Sequence, residues 1–373
     1  MNRLILLLSL ILTFKLTYGQ DFKAIKTIHK HSDKITEIAT CDNYFATGSC
    51  DRTVSTWDYS GKRMFKYTIS EGSINALCFL PDANSLLVAI SEFDNDGYKR
   101  YIIKQFDMSG KVVKEFVDAT MNQEQVNLNY LENNTGAINA VLNASKIYPE
   151  LNVKSNLGIP QVKDKLSHQE TIQDIKLSPN QQIIASIDKY NYLKIWRTTG
   201  KFIKSFQIKN SKKNTYIYFL SDTTLLVTPN IILNIENNNS HKIVGFEDYM
   251  ATPLDDKMYF SFDYTKQSKS EKLFDNQEMK LKDIELGVNN SLCVTTSKDK
   301  FALLGVDGLI RILNMDGEIL SVFGKDRKET ETEFWNNTIR VSSEINKIRF
   351  SPTGDYLISG DKNGKVIIWR SEK

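Results

Sequence analysis

The sequence has few of the residues from which catalytic and metal sites are usually built. It contains four histidines and four cysteines in 373 residues, and no Cys-x-x-Cys pair. Gly-x-Ser-x-Gly, Walker and zincin motifs are also absent. We therefore expect no enzymatic activity, no cofactor and no metal site. An active site assembled from acidic residues far apart in the chain would not be visible in the sequence.

The few candidate ligands do not form a complete pattern. His29 and His31 would share one face of a strand, but a metal ion needs further ligands. Cys41 and Cys50 flank a predicted strand and would lie too far apart for a disulfide. We expect the thiols to be mostly unpaired.

Only one long apolar run occurs, and it lies at the N terminus. Met1–Arg3 is short and positive, Leu4–Phe14 is apolar, and Thr17-Tyr18-Gly19 provides small residues at the −3 and −1 positions before Gln20. The run is shorter than the roughly 20 residues of a membrane-spanning helix. This pattern predicts a signal peptide over residues 1–19 and a mature chain that is exported, periplasmic or secreted, without a membrane span. An intracellular protein whose first residues only resemble a signal is the alternative.

Neither sign of charge is in clear excess. The chain has 48 lysines and arginines against 45 aspartates and glutamates, and removal of the signal peptide would bring the two closer still. The densest basic run is Lys209–Lys213. Binding to nucleic acid through neutralisation of phosphates is therefore not expected.

Several segments share one internal pattern. Phe45–Asp58, Leu193–Trp196 and Leu357–Trp369 each place a tryptophan at the end of an apolar strand. A polar turn toward glycine follows, as in Trp57-Asp58-Tyr59-Ser60-Gly61. Similar turns and the spacing of the apolar strands predict eight copies, with tryptophan-equivalent positions at Phe106, near Val153, and at Ile235, Phe274 and Leu313.

These segments resemble the WD40 repeat. The resemblance implies an all-β fold, a β-propeller over residues 21–373 with eight blades, or with seven if Asn122–Lys165 is an insertion. The chain stops at the third strand of its last blade. Phe22–Ile28 alternates in polarity and precedes the first full blade. We therefore expect this N-terminal strand to become the outer strand of the last blade and to close the ring.

The resemblance also assigns a buried hydrogen-bonded set of histidine, serine or threonine, aspartate and tryptophan to some blades. It would comprise His31, Thr47, Asp51 and Trp57 in the first blade, His168, Ser186 and Trp196 in the fourth, and Ser359 and Trp369 in the last. Tyr190 replaces the aspartate in the fourth blade. Asn363 stands at that position in the last blade, and Val341 stands where its histidine would fall. Because a buried indole or imidazole needs partners, we expect these residues to be structural.

Two lengthened loops carry aromatic residues outside the repeat pattern. One joins blades seven and eight over Lys325–Ser342, and the other joins the second and third strands of blade two over Glu92–Lys99. In a propeller both loops would open on the same face. Four aromatic residues are therefore predicted to contact a partner: Phe93, Tyr98, Phe334 and Trp335. The alternative for Trp335 is a local plug over its own blade.

The Glu92–Gly97 stretch has a second interpretation. It resembles the start of a calcium loop, but the twelfth position holds Ile103 where such a loop would need glutamate. A lengthened hairpin that ends in Asp-Gly is the preferred interpretation.

The function that the resemblance implies is a scaffold. We expect an exported monomer that binds protein partners of unknown identity through the loop-rich face. The alternative is a ligand-binding or hydrolytic propeller with its site at the mouth of the central channel. Carboxylates or histidines clustered at that mouth would favour the alternative.

Overall fold

The computed structural model is all-β over the residues that it describes. It describes residues 22–81, 84–93, 97, 99–118, 167–209, 215–242, 249–253, 258–263, 270–275, 280–285, 291–305, 307–324, 334–335, 338–339 and 344–372. Every regular element in these ranges is a β-strand, and no helix there is long and apolar enough to cross a membrane. The chain divides into two compact units, one over His31–Ala251 and the other formed by the residues up to Lys30 and from Thr252 onward.

The unit His31–Ala251 contains four sheets of four strands. Sheet 1 consists of β2 (Ile35–Thr40), β3 (Tyr44–Ser49), β4 (Thr53–Asp58) and β5 (Arg63–Thr68). Sheet 2 consists of β6 (Gly72–Phe79), β7 (Ser85–Phe93), β8 (Lys99–Asp107) and β9 (Val112–Phe116). Sheet 3 consists of β10 (Ile172–Leu177), β11 (Ile183–Asp188), β12 (Tyr192–Arg197) and β13 (Phe202–Gln207). Sheet 4 consists of β14 (Ile217–Phe219), β15 (Thr224–Val227), β16 (Ile231–Asn234) and β17 (Ser240–Lys242).

The remaining strands form three further four-stranded sheets and one hairpin. Sheet 5 consists of β18 (Tyr249–Pro253), β19 (Met258–Asp263), β20 (Ser270–Asp275) and β21 (Lys280–Glu285). Sheet 6 consists of β22 (Ser291–Thr296), β23 (Lys300–Gly305), β24 (Leu309–Asn314) and β25 (Ile319–Gly324). The hairpin pairs β26 (Phe334–Trp335) with β27 (Thr338–Ile339). Sheet 7 combines β28 (Ile345–Phe350), β29 (Tyr356–Asp361) and β30 (Lys365–Ser371) with β1 (Phe22–His29).

The N-terminal strand β1 lies at the edge of sheet 7. It pairs antiparallel with β30, from Phe22 opposite Ser371 to His29 opposite Lys365. Phe22 is buried, and its ring stacks on that of Phe323 with 5.7 Å between the centroids. The predicted pairing of the first strand with the last is therefore present, and it supplies the fourth strand that sheet 7 would otherwise lack.

The turn from the third to the fourth strand has the same construction in sheets 1 and 2. The Asp58 carboxylate accepts hydrogen bonds from the backbone N–H groups of Ser60 and Lys62, both at 2.9 Å. Gly61 has a φ of 85°, a conformation that costs glycine little. Asp107 and its turn repeat this arrangement in sheet 2. These short polar turns make each sheet a simple meander.

In the corresponding turn of sheet 4, asparagines stand in place of both the aspartate and the glycine. Asn234 begins the turn, and Asn238 takes the left-handed position with a φ of 62°. The backbone N–H of Asn234 donates to the Asn239 carbonyl at 2.8 Å, as that of Asp58 does to Lys62 in sheet 1. Leu233 therefore occupies the tryptophan-equivalent position, two residues before the predicted Ile235.

A β-bulge interrupts the fourth strand in every sheet described except sheet 4. In sheet 1, Trp57 is opposite Arg63 and Thr56 is opposite Phe65, which leaves Met64 as an extra residue. The bulges of all six sheets have apolar extra residues, namely Met64, Val113, Ile203, Leu281, Leu320 and Ile25. A bulge breaks the regular hydrogen-bonding edge of a strand, so these sheet edges are poor templates for further pairing.

A second bulge recurs in the first strand of five sheets. The extra residues there are Thr36, Asn75, Gln173, Leu292 and Asn346. Two of them reach the next sheet. Thr36 Oγ1 donates to the Ile74 carbonyl at 3.4 Å, and Gln173 Oε1 accepts from the Thr215 N–H at 3.3 Å. The polar bulge residues thus link neighbouring sheets.

Sheets 1 to 4 pack on one another in chain order through apolar cores. Between sheets 2 and 3, the Phe116 and Trp196 rings lie 5.8 Å apart. Ser167 Oγ donates to the Phe116 carbonyl, and Tyr101 forms a β-bridge with His168. The additional blade predicted near Val153 was expected between these two sheets. Because sheets 2 and 3 are direct neighbours, that placement is wrong, and residues 119–166 lie outside the described part of the chain.

We predict that residues 120–165 can be replaced without loss of the fold. Phe116 and Ser167 are hydrogen-bonded neighbours, and a linker of about six glycines and serines can span roughly 20 Å. The melting temperature, measured by circular dichroism, should stay within a few degrees. Replacement of β11 by the same linker is the control and should abolish cooperative unfolding. If the first replacement abolished it too, residues 119–166 would contribute a necessary part of the fold.

Candidate functional site

The four residues predicted to form a hydrogen-bonded set in sheet 1 do meet. Trp57 Nε1 donates to Thr47 Oγ1 at 2.9 Å, and Thr47 Oγ1 lies 2.8 Å from His31 Nε2. His31 Nδ1 lies 3.1 Å from the Asp51 carboxylate. An indole N–H can only donate, so the Thr47 hydroxyl turns its own proton toward Nε2. The imidazole then carries its proton on Nδ1 and donates it to Asp51.

Sheet 3 contains the same chain of hydrogen bonds with one corrected member. Trp196 Nε1 donates to Ser186 Oγ at 2.8 Å, and Ser186 Oγ lies 2.7 Å from His168 Nε2. His168 Nδ1 donates to Asp188 at 3.0 Å. The carboxylate is therefore present, and the prediction that Tyr190 replaces it is wrong. Asp188 stands two residues after the hydroxyl, whereas Asp51 stands four residues after Thr47.

Sheet 7 keeps the tryptophan and the hydroxyl of the set. Trp369 Nε1 donates to Ser359 Oγ at 2.9 Å. The acidic member is Asp361 rather than Asn363, because the buried Asp361 carboxylate accepts the N–H groups of Asn363 and Lys365 at 2.8 Å. Val341, at the predicted histidine position, lies outside the described residues.

A buried cation also lies beside a carboxylate in sheets 2, 3 and 6, and in sheet 3 it is present in addition to the histidine. Lys104, Lys194 and Arg311 each stand two residues before the tryptophan-equivalent position, and each is nearly buried. Their nearest carboxylates are Glu92 at 3.0 Å, Asp118 at 2.5 Å and Asp307 at 2.6 Å, respectively. A buried charge is costly unless it is paired, so each of these three cations has an acidic neighbour.

Sequence reasoning missed these ion pairs because lysine in a strand normally indicates an exposed face. Lys194 is 2% exposed. Burial lowers its pKa, and the Asp118 carboxylate opposes that change. The one signal in the sequence was a basic residue at the same place in four third strands, namely Lys104, Lys194, Lys272 and Arg311.

The hydrogen-bonded histidines have the partners that the predicted structural role requires. Both ring nitrogens of His31 and of His168 already have partners within the protein. Burial lowers the pKa of both side chains, although Asp51 and Asp188 favour the charged forms. Within the described ranges, no three histidine, cysteine or acidic side chains come together as metal ligands. All four cysteines are free thiols.

The candidate partner-binding residue Phe93 lies at the tip of a projecting hairpin. β7 and β8 have nine residues each, and their pairing continues to Phe93 opposite Lys99. In sheets 1 and 3 the equivalent strands have six residues. The lengthened hairpin is therefore confirmed, since Glu92 and Phe93 belong to a strand, whereas Asp94–Asp96 of the calcium-loop interpretation lie outside the described residues. Phe93 is 44% exposed, whereas large apolar side chains are mostly buried elsewhere in this sheet.

Ion pairs stabilise the ends of the two strands of this hairpin. Glu92 contacts Lys104 at 3.0 Å and Arg100 at 3.5 Å, and Arg100 also lies 3.6 Å from Glu115. Lys99 Nζ lies over the Tyr101 ring, 5.4 Å from its centroid. These contacts are partly buried, so they hold the strand ends better than surface pairs would. Phe93 is thus presented on an ordered support.

The predicted contact residues are divided between the two compact units of the chain. Phe334 and Trp335 form β26 in the second unit, where they pair with Ile339 and Thr338. Tyr98 lies outside the described residues. That all four share one face stays a prediction, as does the plug alternative for Trp335.

The family comparison matches two parts of the chain. Residues 22–58 and 336–370 match the model described as WD domain, G-beta repeat. The first match runs from β1 through β4, and the second runs through β28, β29 and most of β30. The chain contains WD40 repeats. The match confirms the resemblance to WD40 repeats that the segments ending in Trp57 and Trp369 had indicated.

A curated relative matches over a similar length. It is a subunit of chromatin assembly factor 1 from Mus musculus, which is 34% identical over 71 residues. The aligned part is 19% of this chain and 11% of the relative. The aligned segment is thus similar to a small part of a longer protein.

We predict that stability falls as the pH drops below about 6.5, the ordinary pKa of histidine. The native state holds His168 neutral, so the unfolded chain takes up protons first. The free energy of unfolding should therefore decrease with falling pH, by at most about 1.4 kcal/mol per pH unit for this histidine. Urea titrations between neutral and mildly acidic pH would measure the slope.

His168→Gln should lower stability at neutral pH and reduce the slope of stability against pH. Part of the slope should remain, because the pKa of His31 is also lowered by burial. His241→Gln is the matched control, because His241 is exposed on β17. An unchanged slope in His168→Gln would contradict the prediction. If that variant does not fold, NMR titration of the intact protein gives the His168 pKa directly.

Proposed function

We propose that this chain is an exported, non-catalytic WD40 β-propeller that binds other proteins. Its ring would have seven blades, one for each described sheet, and β1 would close it. Three observations support this proposal: WD40 repeats at both ends of the chain, sheets of four strands packed in chain order, and the pairing of β1 with β30. Closed sheets of this kind make rigid platforms.

The β7–β8 hairpin is the observation that carries the binding role. It extends a strand pair beyond the length seen in sheets 1 and 3, and it ends in an exposed phenylalanine. An aromatic residue on an ordered support loses little freedom on binding, which favours a contact with high energy per residue. Trp335, outside the WD40 pattern, is the second proposed anchor.

The polar groups of the fold support a non-catalytic role. His31 and His168 are saturated by hydrogen bonds, and the buried Lys194 is paired with Asp118. The curated relative is named as part of an assembly factor, which agrees with a role in holding other proteins. A single copy of the ring needs no second copy to complete a sheet, so we propose a monomer.

The binding role can be tested by affinity capture from the exported fraction. We expect Phe93→Ala and Trp335→Ala each to lower recovery of bound protein several-fold, because truncation of an aromatic anchor removes its buried contact. Val322→Ala is the matched control, since Val322 is 48% exposed but lies on β25. Equal recovery with the intact protein and both aromatic variants would refute the proposed contacts.

Export has its own test. We expect the mature protein to begin at Gln20, because the small residues before it fit a signal-peptidase site. Intact-mass measurement on protein from the exported fraction would show the loss of residues 1–19. Full-length protein retained inside the cell would contradict export without affecting the fold.

A further inference from the structure

Exposed large apolar side chains are concentrated on the fourth strands of the sheets. Among the described residues they are Ile25, Met64, Phe93, Val113, Ile203 and Val322. All but Phe93 lie on a fourth strand, and four are the extra residue of a bulge. A bulge on a solvated edge can carry a polar residue at no cost, so repeated aliphatic residues there call for a binding explanation.

Three of these side chains form a row along the unit His31–Ala251. Met64, Val113 and Ile203 belong to sheets 1, 2 and 3, which pack on one another in that order. The residue that follows the extra residue of each bulge contacts the next sheet, at the turn between the third and fourth strands of that sheet. Phe65 packs on Gly110, Lys114 Nζ donates to the Thr199 carbonyl, and Lys204 Nζ donates to Asn238 Oδ1 at 2.9 Å. These repeated contacts hold the three strands side by side.

The same strands are strongly basic. Residues 62–68, 111–116 and 201–207 contain seven basic residues, namely Lys62, Arg63, Lys66, Lys111, Lys114, Lys201 and Lys204. They contain one acidic residue, Glu115, whose carboxylate pairs with Arg100 and Lys104. Asp58 and Asp107 stand in the adjoining turns, where backbone N–H groups bind them. In contrast, β25 of sheet 6 carries the exposed Val322 without any basic residue in Ile319–Gly324.

We propose that this basic row, defined as Lys62–Thr68, Lys111–Phe116 and Lys201–Gln207, docks on an anionic lipid bilayer surface. Lysines next to acidic headgroups attract the protein, and aliphatic side chains can enter the boundary between headgroups and acyl chains. Met64, Val113 and Ile203 supply one such side chain for each strand. Charge complementarity and the repeated aliphatic residues thus point to the same occupant.

Other occupants fit the row less well. The bulges disrupt the edge hydrogen-bonding pattern that an added peptide strand would need. Protein interaction hot spots are enriched in tryptophan, tyrosine and arginine, but the exposed apolar residues here are methionine, valine and isoleucine. Single-stranded nucleic acid would use aromatic side chains for stacking, and the row exposes no large aromatic side chain.

Co-sedimentation with vesicles tests this docking. The full chain should bind vesicles of phosphatidylcholine mixed with phosphatidylglycerol, bind phosphatidylcholine alone at least about tenfold more weakly, and dissociate at high salt. The triple variant Lys66→Glu, Lys111→Glu, Lys201→Glu should lower binding to the mixed vesicles at least about tenfold. The triple variant Met64→Ser, Val113→Ser, Ile203→Ser should lower it several-fold, with the salt dependence retained.

Matched variants separate the row from general effects of charge and apolarity. Lys30→Glu, Lys189→Glu, Lys298→Glu changes three exposed lysines elsewhere, and Val322→Ser changes an exposed aliphatic residue away from the basic row. Both controls should bind vesicles like the intact chain. Circular dichroism melting checks that every variant folds.

Three results would overturn the proposal. One is equal binding to anionic and uncharged vesicles, and another is equal loss in the row and control variants. The third is unchanged vesicle binding by the row variants together with loss of a captured protein, which would assign the row to an acidic protein partner.

Discussion

Five of the seven sheets depend on one constraint, which is that a carboxylate beside the start of the third strand must have partners. Asp51, Asp188 and Asp361 all accept backbone N–H groups of the turn that follows them, and so they fix the position where that strand begins. The partner of the carboxylate varies, from a neutral histidine that donates a hydrogen bond in sheets 1 and 3 to a charged lysine or arginine in sheets 2 and 6. The tryptophan and hydroxyl extend the arrangement across the sheet where histidine is present. The repeat is therefore better defined by this requirement than by any one residue type.

Sequence reasoning succeeded where spacing is set by local chemistry. The set around Trp57 was predicted in full because its four residues keep their usual separations, and the pairing of β1 with β30 followed from an unpartnered strand at each end. It failed where two positions can serve the same purpose. Asp188 reaches His168 from two residues after the hydroxyl, a site that the repeat pattern assigns to another residue. The tryptophan-equivalent position was wrongly placed at Ile235 because the prediction assumed a constant repeat length. The strands of sheet 4 are shorter than those of sheet 3.

The buried cations show a different limit. Lys104, Lys194 and Arg311 are strand residues whose charge would normally place them in solvent, and yet all three are buried. Only the three-dimensional partners reveal them as buried, and Asp118 lies far from Lys194 in the chain. Such pairs contribute little net stability compared with apolar residues, but loss of one partner leaves an uncompensated charge. The Lys194–Asp118 pair therefore links sheet 3 to the end of sheet 2, whereas the Lys104 and Arg311 pairs lie within single sheets. The lengthened β7–β8 connection, in contrast, was predicted from the sequence because Glu92–Lys99 is an insertion relative to the other repeats, although Glu92, Phe93 and Lys99 belong to the strands.

The pairing of β1 with β30 has a consequence for the order of events in biosynthesis. Phe22–His29 leaves the ribosome long before Lys365–Ser371, because the strands of all the other sheets lie between them in the chain. Sheet 7 can therefore form only after the other sheets have been made, and until then β1 has an unpaired edge and the Phe22 ring has no pocket. Any cellular machinery that handles this protein must keep that short strand available, and unattached to other chains, throughout synthesis. A cut or tag placed immediately before Phe22 would thus act on the final step of folding rather than on its beginning.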